Sequence, residues 1–151
     1  MSISSNSFQP RPLISINEEG RNCCVILVVD DDDAMRSLLV DELGDYGCCV
    51  LEAADGEEAL SQIQAKTPSL IVTDLQMKSG GFDFIKNVKT VTPDCRVIVV
   101  TAFGDSQTHG IAKNIGVDGY FDKPVRMDDL KTLVMKVCPV PHCPHVQVNL
   151  E

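Results

Sequence analysis

This sequence predicts an α/β fold: a doubly wound, five-stranded parallel sheet with five helices on its two faces. Three observations carry that expectation. Short, wholly apolar runs alternate with longer segments of three/four apolar spacing, the pattern of strands buried on both faces and joined by crossover helices. Gly or Pro punctuates nearly every joint between them. The best apolar runs also stop on polar residues, at Asp30-Asp31, Asp74 and Thr101, and the carboxyl ends of such strands line one ligand-binding crevice.

In chain order, residues 1–22 carry Ser, Asn, Pro10 and Pro12 and read as a flexible arm before the domain proper, residues 23–138. Ile26 to Val29 is the first strand. Asp33 to Leu43 is helical, with Met35, Leu38 and Leu39 on one side, and Gly44 and Gly47 end it. Cys48 to Ala53 is the second strand. Asp55 caps the next helix and Glu58 completes a capping box. Ala59, Leu60 and Ile63 form the inner face of that helix, and Pro68 forbids its continuation. The third strand starts at Ser69 and ends at Asp74. After the loop Lys78-Ser79-Gly80-Gly81, Phe82, Ile85 and Val88 mark a third helix, closed before Pro93. The fourth strand runs from Arg96 to Thr101. Ser106 to Ile115 is a weaker helix, with Gly110 inside it and Gly116 after it. Gly119 to Phe121 is a short fifth strand. From Met127, Leu130, Leu133, Val134 and Val137 form one helical stripe that Pro139 stops. Residues 139–151 form a short tail. Crossovers between parallel strands should be right-handed.

A length of 151 residues suits one domain. The net charge of −9 argues against direct nucleic-acid binding, which needs a basic footprint. No apolar run is long enough to cross a bilayer, and Met1 to Asn6 lack the basic start of a secretory leader. The expectation is a cytoplasmic protein without a membrane partner. Seven cysteines in such a chain do not suggest a disulfide framework; they read as small buried hydrophobes near the amino-terminal edge of the sheet.

At the opposite edge, Asp30, Asp31 and Asp74 would meet Thr101 and Lys123. A carboxylate can attack phosphorus and form an acyl phosphate, and such transfer depends mainly on positioning and electrostatics. Three carboxylates facing an anionic donor repel it unless a cation intervenes. Mg²⁺ suits the set, because it takes oxygen ligands from one or two carboxylates plus phosphate. Lys123 supplies a point charge to a phosphoryl oxygen and Thr101 a hydroxyl to another. Each residue also has an ordinary structural reading. Acids before a helix complement its dipole, and an Asp at a strand end starts turns. Asp32 reads as a cap or an outer partner, and His109 as a surface residue.

The motifs Ile26-Leu27-Val28-Val29-Asp30-Asp31 with Arg36 following, Thr73-Asp74-Leu75-Gln76-Met77, Val99-Val100-Thr101-Ala102 and Lys123-Pro124 resemble those of the receiver domains of two-component response regulators. The resemblance covers residues 24 to 138. It implies a flavodoxin- and CheY-like strand order of 2-1-3-4-5. It implies Asp74 as phospho-acceptor, and Asp31, Asp30 through water, Asp74 and the Gln76 backbone carbonyl around Mg²⁺. It implies Thr101 and Tyr120 as switch residues, Lys123 as the conserved-type lysine, and Gln76 and Phe103 as residues tuning phosphate lifetime. The partners it implies are a histidine kinase or phosphotransfer protein and a downstream protein that reads the face of helix four, strand five and helix five. A phosphorylation-dependent homodimer is a further implication. The chain departs from the family pattern at Lys78, where Pro is usual, in a loop that looks one residue short, and at Asp122.

Other classes compete. A Mg²⁺-dependent phosphohydrolase of the haloacid dehalogenase type also uses an Asp nucleophile in an Asp-x-Asp pattern, which Asp30-Asp31-Asp32 imitates. A piece of a longer DNA-binding regulator is another alternative. Cys138, His142, Cys143 and His145 are zinc-ligand types, at a spacing that matches no strong pattern.

Overall fold

The computed structural model describes residues 15–16, 22–44, 49–102 and 104–138. One parallel sheet holds β1 (Val25–Val29), β2 (Cys49–Ala53), β3 (Leu70–Thr73), β4 (Arg96–Thr101) and β5 (Gly119–Asp122) in the order β2-β1-β3-β4-β5. The crossovers are α1 (Asp33–Gly44), α2 (Gly56–Ala65), α3 (Gly81–Val91) and α4 (Ser106–Ile115), and α5 (Met127–Val137) closes the fold. The doubly wound class and the strand order are those expected.

The apolar runs are continuous because β1, β3 and β4 are covered on both faces. Every residue of β1 and β3 is buried. Side chains alternate across the pleat. Leu27, Val29, Ile71, Val97 and Val99 pack with Ala59 and Ile63 of α2 and Phe84, Ile85 and Val88 of α3. Ile26, Val28, Val72, Ile98 and Val100 pack with Leu39 and Leu43 of α1 and Leu130 and Val134 of α5. Each such Val, Leu, Ile or Phe side chain stabilises the fold by about 1.5–3 kcal/mol. The edge strands β2 and β5 are only partly covered. Of the helices, α4 buries Ala112 alone.

Local signals explain the boundaries. Asp55 Oδ1 accepts from the Glu58 amide at 2.8 Å, while Glu58 Oε1 reaches back to the Ala54 amide at 2.8 Å. The capping box is therefore real, displaced by one residue on its return arm. Asp105 caps α4 through the Thr108 amide at 2.7 Å, and Gly116 closes it with a left-handed φ of 94°.

Several expectations change. Gly44 is the last residue of α1 rather than its stop. β5 runs one residue further, to Asp122. Within the expected arm, Ser15–Ile16 pairs antiparallel with Asn22–Cys23. The other residues of the arm, and the tail beyond 138, lie outside the described residues. Cys24 and Cys138 are joined as a disulfide across a sequence separation of 114. The reason is topological: α5 runs back toward the amino-terminal edge of the sheet, where β1 begins. Cys138 is thereby taken out of the zinc reading, whose other members lie outside the described residues.

Cys95 does match the buried-hydrophobe reading. It is 1% exposed, and burial pushes its thiol up to about 12. A thiol protonated at neutral pH is a poor nucleophile. Iodoacetamide at pH ~8, well below that value, should therefore leave Cys95 unmodified in the native protein and label it only after denaturation. Peptide mass mapping checks this, and native labelling of Cys95 would show that the α3–β4 junction opens.

Candidate phosphoryl and metal site

Sheet register builds the site. Val29, Thr73, Val99 and Tyr120 lie in one row across β1, β3, β4 and β5. Asp30 and Asp74 are one step beyond that row on adjacent strands. Their backbones continue the ladder, with the Asp74 amide donating to Val29 O at 3.0 Å and the Asp30 amide to Ala53 O at 3.1 Å. The carboxylates are side by side because their strands are parallel, in register and end on the same row.

Both are nearly enclosed, Asp30 at 2% and Asp74 at 6% exposure. Lys123 bridges them, with Nζ 2.9 Å from Asp30 Oδ2 and 2.8 Å from Asp74 Oδ2. The lysine follows β5, where its amide donates to Thr101 O at 2.8 Å and its bond to Pro124 is cis. Burial works to lower the Lys123 pKa, but hydrogen bonds and charge from Asp74 and Asp30 outweigh it and raise the value. Burial raises the Asp30 carboxyl above its ordinary range, against the Asp32 amide and Lys123, and the Asp74 charge adds to the rise.

Asp31 is exposed, yet one of its oxygens lies within 4.8 Å of oxygens of Asp30 and Asp74. The cluster is compatible with a metal site: three hard oxygen donors, one on the solvent side. Three carboxylates against one ammonium leave an excess of two negative charges, which a dication balances. Gln76 donates its amide to Asp74 Oδ1 at 3.0 Å, while its side chain is exposed. Thr101 is fully buried at the end of β4. Tyr120 is half-buried, and its ring stacks on His109 of α4, centroids 4.7 Å apart. Burial raises the Tyr120 hydroxyl pKa, helped by the charges of Asp122 and Asp105. Phe103 lies outside the described residues.

Asp32 resolves to a cap. Its Oδ1 accepts from the Ala34 and Met35 amides at 3.1 and 3.2 Å, and its own amide donates to Asp30 Oδ1 at 2.9 Å. It is thus engaged in helix initiation, against the Asp-x-Asp hydrolase reading. Asp33 is likewise spent on Arg36, at 2.6 Å.

Two positioning features are not evident in the sequence. Arg36 donates to the Asp30 carbonyl at 2.7 Å and to Glu52 Oε1 at 3.0 Å, tying the β1–α1 turn to β2. Its place six residues after Asp30, one turn into a helix, was the available signal. Gly56 opens α2 directly beneath the β3–α3 loop, where its amide donates to Lys78 O at 3.0 Å. A Cβ there would meet the Ser79 carbonyl oxygen at 1.6 Å, so only glycine admits the loop. Asp122, unexplained by sequence, lays its carboxylate against Gly104 in the β4–α4 loop, where an added Cβ would meet Oδ1 at 1.6 Å.

Comparison with known proteins places the chain in a family. A family model for the response regulator receiver domain matches residues 26–135. Sporulation initiation phosphotransferase F of Bacillus subtilis (strain 168) is 30% identical over 116 residues, covering 76% of this chain and 94% of that protein. A probable transcriptional regulator, ycf27 of Cyanophora paradoxa, is 36% identical over 110 residues, 72% of this chain, but this chain spans only 46% of that regulator. The crystal structure of a CheY-like receiver domain protein from Methanospirillum hungatei JF-1 superposes with a TM-score of 0.72 at 27% identity, covering 76% of this chain and 92% of that one.

Proposed function

Because the chain belongs to the response regulator receiver domain family, whose members are signalling modules rather than enzymes with separate substrates, we propose that Asp74 accepts a phosphoryl group from the phosphohistidine of a histidine kinase or phosphotransfer protein. The observation that carries this reading is the Lys123 ammonium held between two enclosed carboxylates, with the exposed Asp31 oxygen beside them.

An Asp74 carboxylate oxygen attacks phosphorus. The phosphorus–nitrogen bond to the donor imidazole breaks, and the imidazole leaves as the aspartyl phosphate forms. Asp30, Asp31, Asp74 and the Gln76 carbonyl would hold Mg²⁺, which when bound offsets the charge gathered by the carboxylates and the phosphoryl oxygens. Lys123 gives its ammonium to a phosphoryl oxygen and thereby loosens its hold on Asp74. Thr101 directs its hydroxyl to another. Tyr120 then turns inward behind Thr101, and Gln76 and Phe103 set the lifetime of the acyl phosphate.

The readout lies on α4, β5 and α5. α4 and α5 leave the apolar Ile111 and Met135 exposed, surface that a downstream protein or a second copy can cover in one state of the switch. The net charge of −9 supports a protein partner rather than nucleic acid for this segment. No helix among the described residues is long and apolar enough to cross a membrane. The folded unit is assigned to residues 23–138, between an arm and a tail.

Acetyl phosphate with Mg²⁺ should add a single phosphoryl group per chain by intact mass, and EDTA should prevent it. Equal incorporation in EDTA would overturn the metal dependence. Sustained turnover of p-nitrophenyl phosphate would favour the hydrolase alternative instead.

A further inference from the structure

α4 is the least embedded helix of the fold. It buries Ala112 alone, carries Gly110 with open space around it, and depends on its Asp105 cap for its first turn. His109 sits in that first turn, its amide bonded to the Asp105 carbonyl at 3.0 Å. The imidazole is exposed, and it stacks on the Tyr120 ring at 4.7 Å with an interplanar angle of 20°. The Tyr120 ring is only partly buried: it touches the core cluster and also lies on this exposed imidazole at the surface. The same contact fastens a weakly buried helix to β5.

We propose that His109 is a positioning residue for Tyr120: its imidazole holds the ring outward against α4, and breaking that stack is part of what phosphorylation must achieve. This rests on the reading of Tyr120 as the switch aromatic. The two rings share a face, so the tyrosine cannot turn inward and keep the contact. Aromatic pairs of this geometry shift an equilibrium by roughly two- to tenfold. The stack therefore biases the module toward the outward state and links the tyrosine rotamer to the order of α4.

The test uses the full chain with 3-fluorotyrosine. There are only two tyrosines, Tyr46 and Tyr120, and Tyr46→Phe assigns the two fluorine signals. Fluoroberyllate with Mg²⁺ serves as the phosphoryl mimic. In the wild type the Tyr120 signal should move on titration. In His109→Ala it should start closer to the liganded position, with fluoroberyllate affinity raised roughly two- to tenfold and faster hydrogen exchange in α4 before ligand is added. His109→Phe should restore wild-type affinity, because it keeps an aromatic face, whereas a merely structural role for the imidazole would not be rescued. If the wild-type Tyr120 signal does not move, the switch reading fails and this inference fails with it. If it moves but His109→Ala binds fluoroberyllate as wild type does, the inference alone is overturned.

Discussion

Asp74→Asn should abolish phosphoryl incorporation from acetyl phosphate, with no residual acyl phosphate detectable by intact mass or by hydroxylamine-sensitive labelling. The amide is not a nucleophile toward phosphorus, so the loss should be complete rather than partial. The fold should survive. Asp74 and Asp30 share one ammonium, and removing one carboxylate leaves Lys123 paired with the other. Metal-free Asp74→Asn should therefore unfold at or above the wild-type temperature while losing most of its stabilisation by Mg²⁺. Labelling that persisted at wild-type level would move the acceptor to Asp30 or Asp31. A sharp fall in metal-free stability would show that Asp74 contributes to packing in a way its ion pair does not explain.

Lys123→Met should have the opposite profile. It leaves Asp30 and Asp74, at 2% and 6% exposure, without their cation. Stranding buried charge in this way costs about 3 kcal/mol or more, so the metal-free variant should melt well below wild type. Mg²⁺ should restore much of that loss, because a dication can take over the neutralising role, while phosphoryl uptake should remain strongly impaired. The pH dependence follows from Asp30. Its folded-state pKa is raised above the ordinary 3.8, so its contribution to stability is present below that value and is lost as pH rises through the raised one. Lys123 is one of the groups holding the Asp30 value down, and its removal widens that window. The stability gap between variant and wild type should therefore narrow on acidification. Thermal melts with and without Mg²⁺ across that range decide it; a gap independent of both pH and metal would mean that Lys123 acts through packing alone.

These two substitutions bracket what could be read from residues in order. The strands were legible because a run such as Val25–Val29 is apolar at every position only when both faces are covered. The site was legible because the polar residues that end those runs fall at one edge of any parallel sheet. Arg36 and Gly56 were not legible in their roles. A guanidinium holding a backbone carbonyl, or a missing Cβ beneath a loop, depends on which segment passes overhead. Asp122 became intelligible once Gly104 was seen to lie against it. The Cys24–Cys138 link escaped for the same reason, since its partners are 114 residues apart and meet only because α5 returns to the edge where β1 starts.

The sequence by itself determined the fold class, the alternation of elements and the short list of residues able to do phosphoryl chemistry, because hydrophobic period and residue type are local properties of the chain. Only the tertiary structure decided that Lys123 bridges Asp30 and Asp74, that Asp32 and Asp33 serve α1 while an oxygen of Asp31 lies beside those of Asp30 and Asp74, and that His109 lies on Tyr120. Those are distances between side chains brought together by sheet register and helix packing, and no spacing along the chain encodes them.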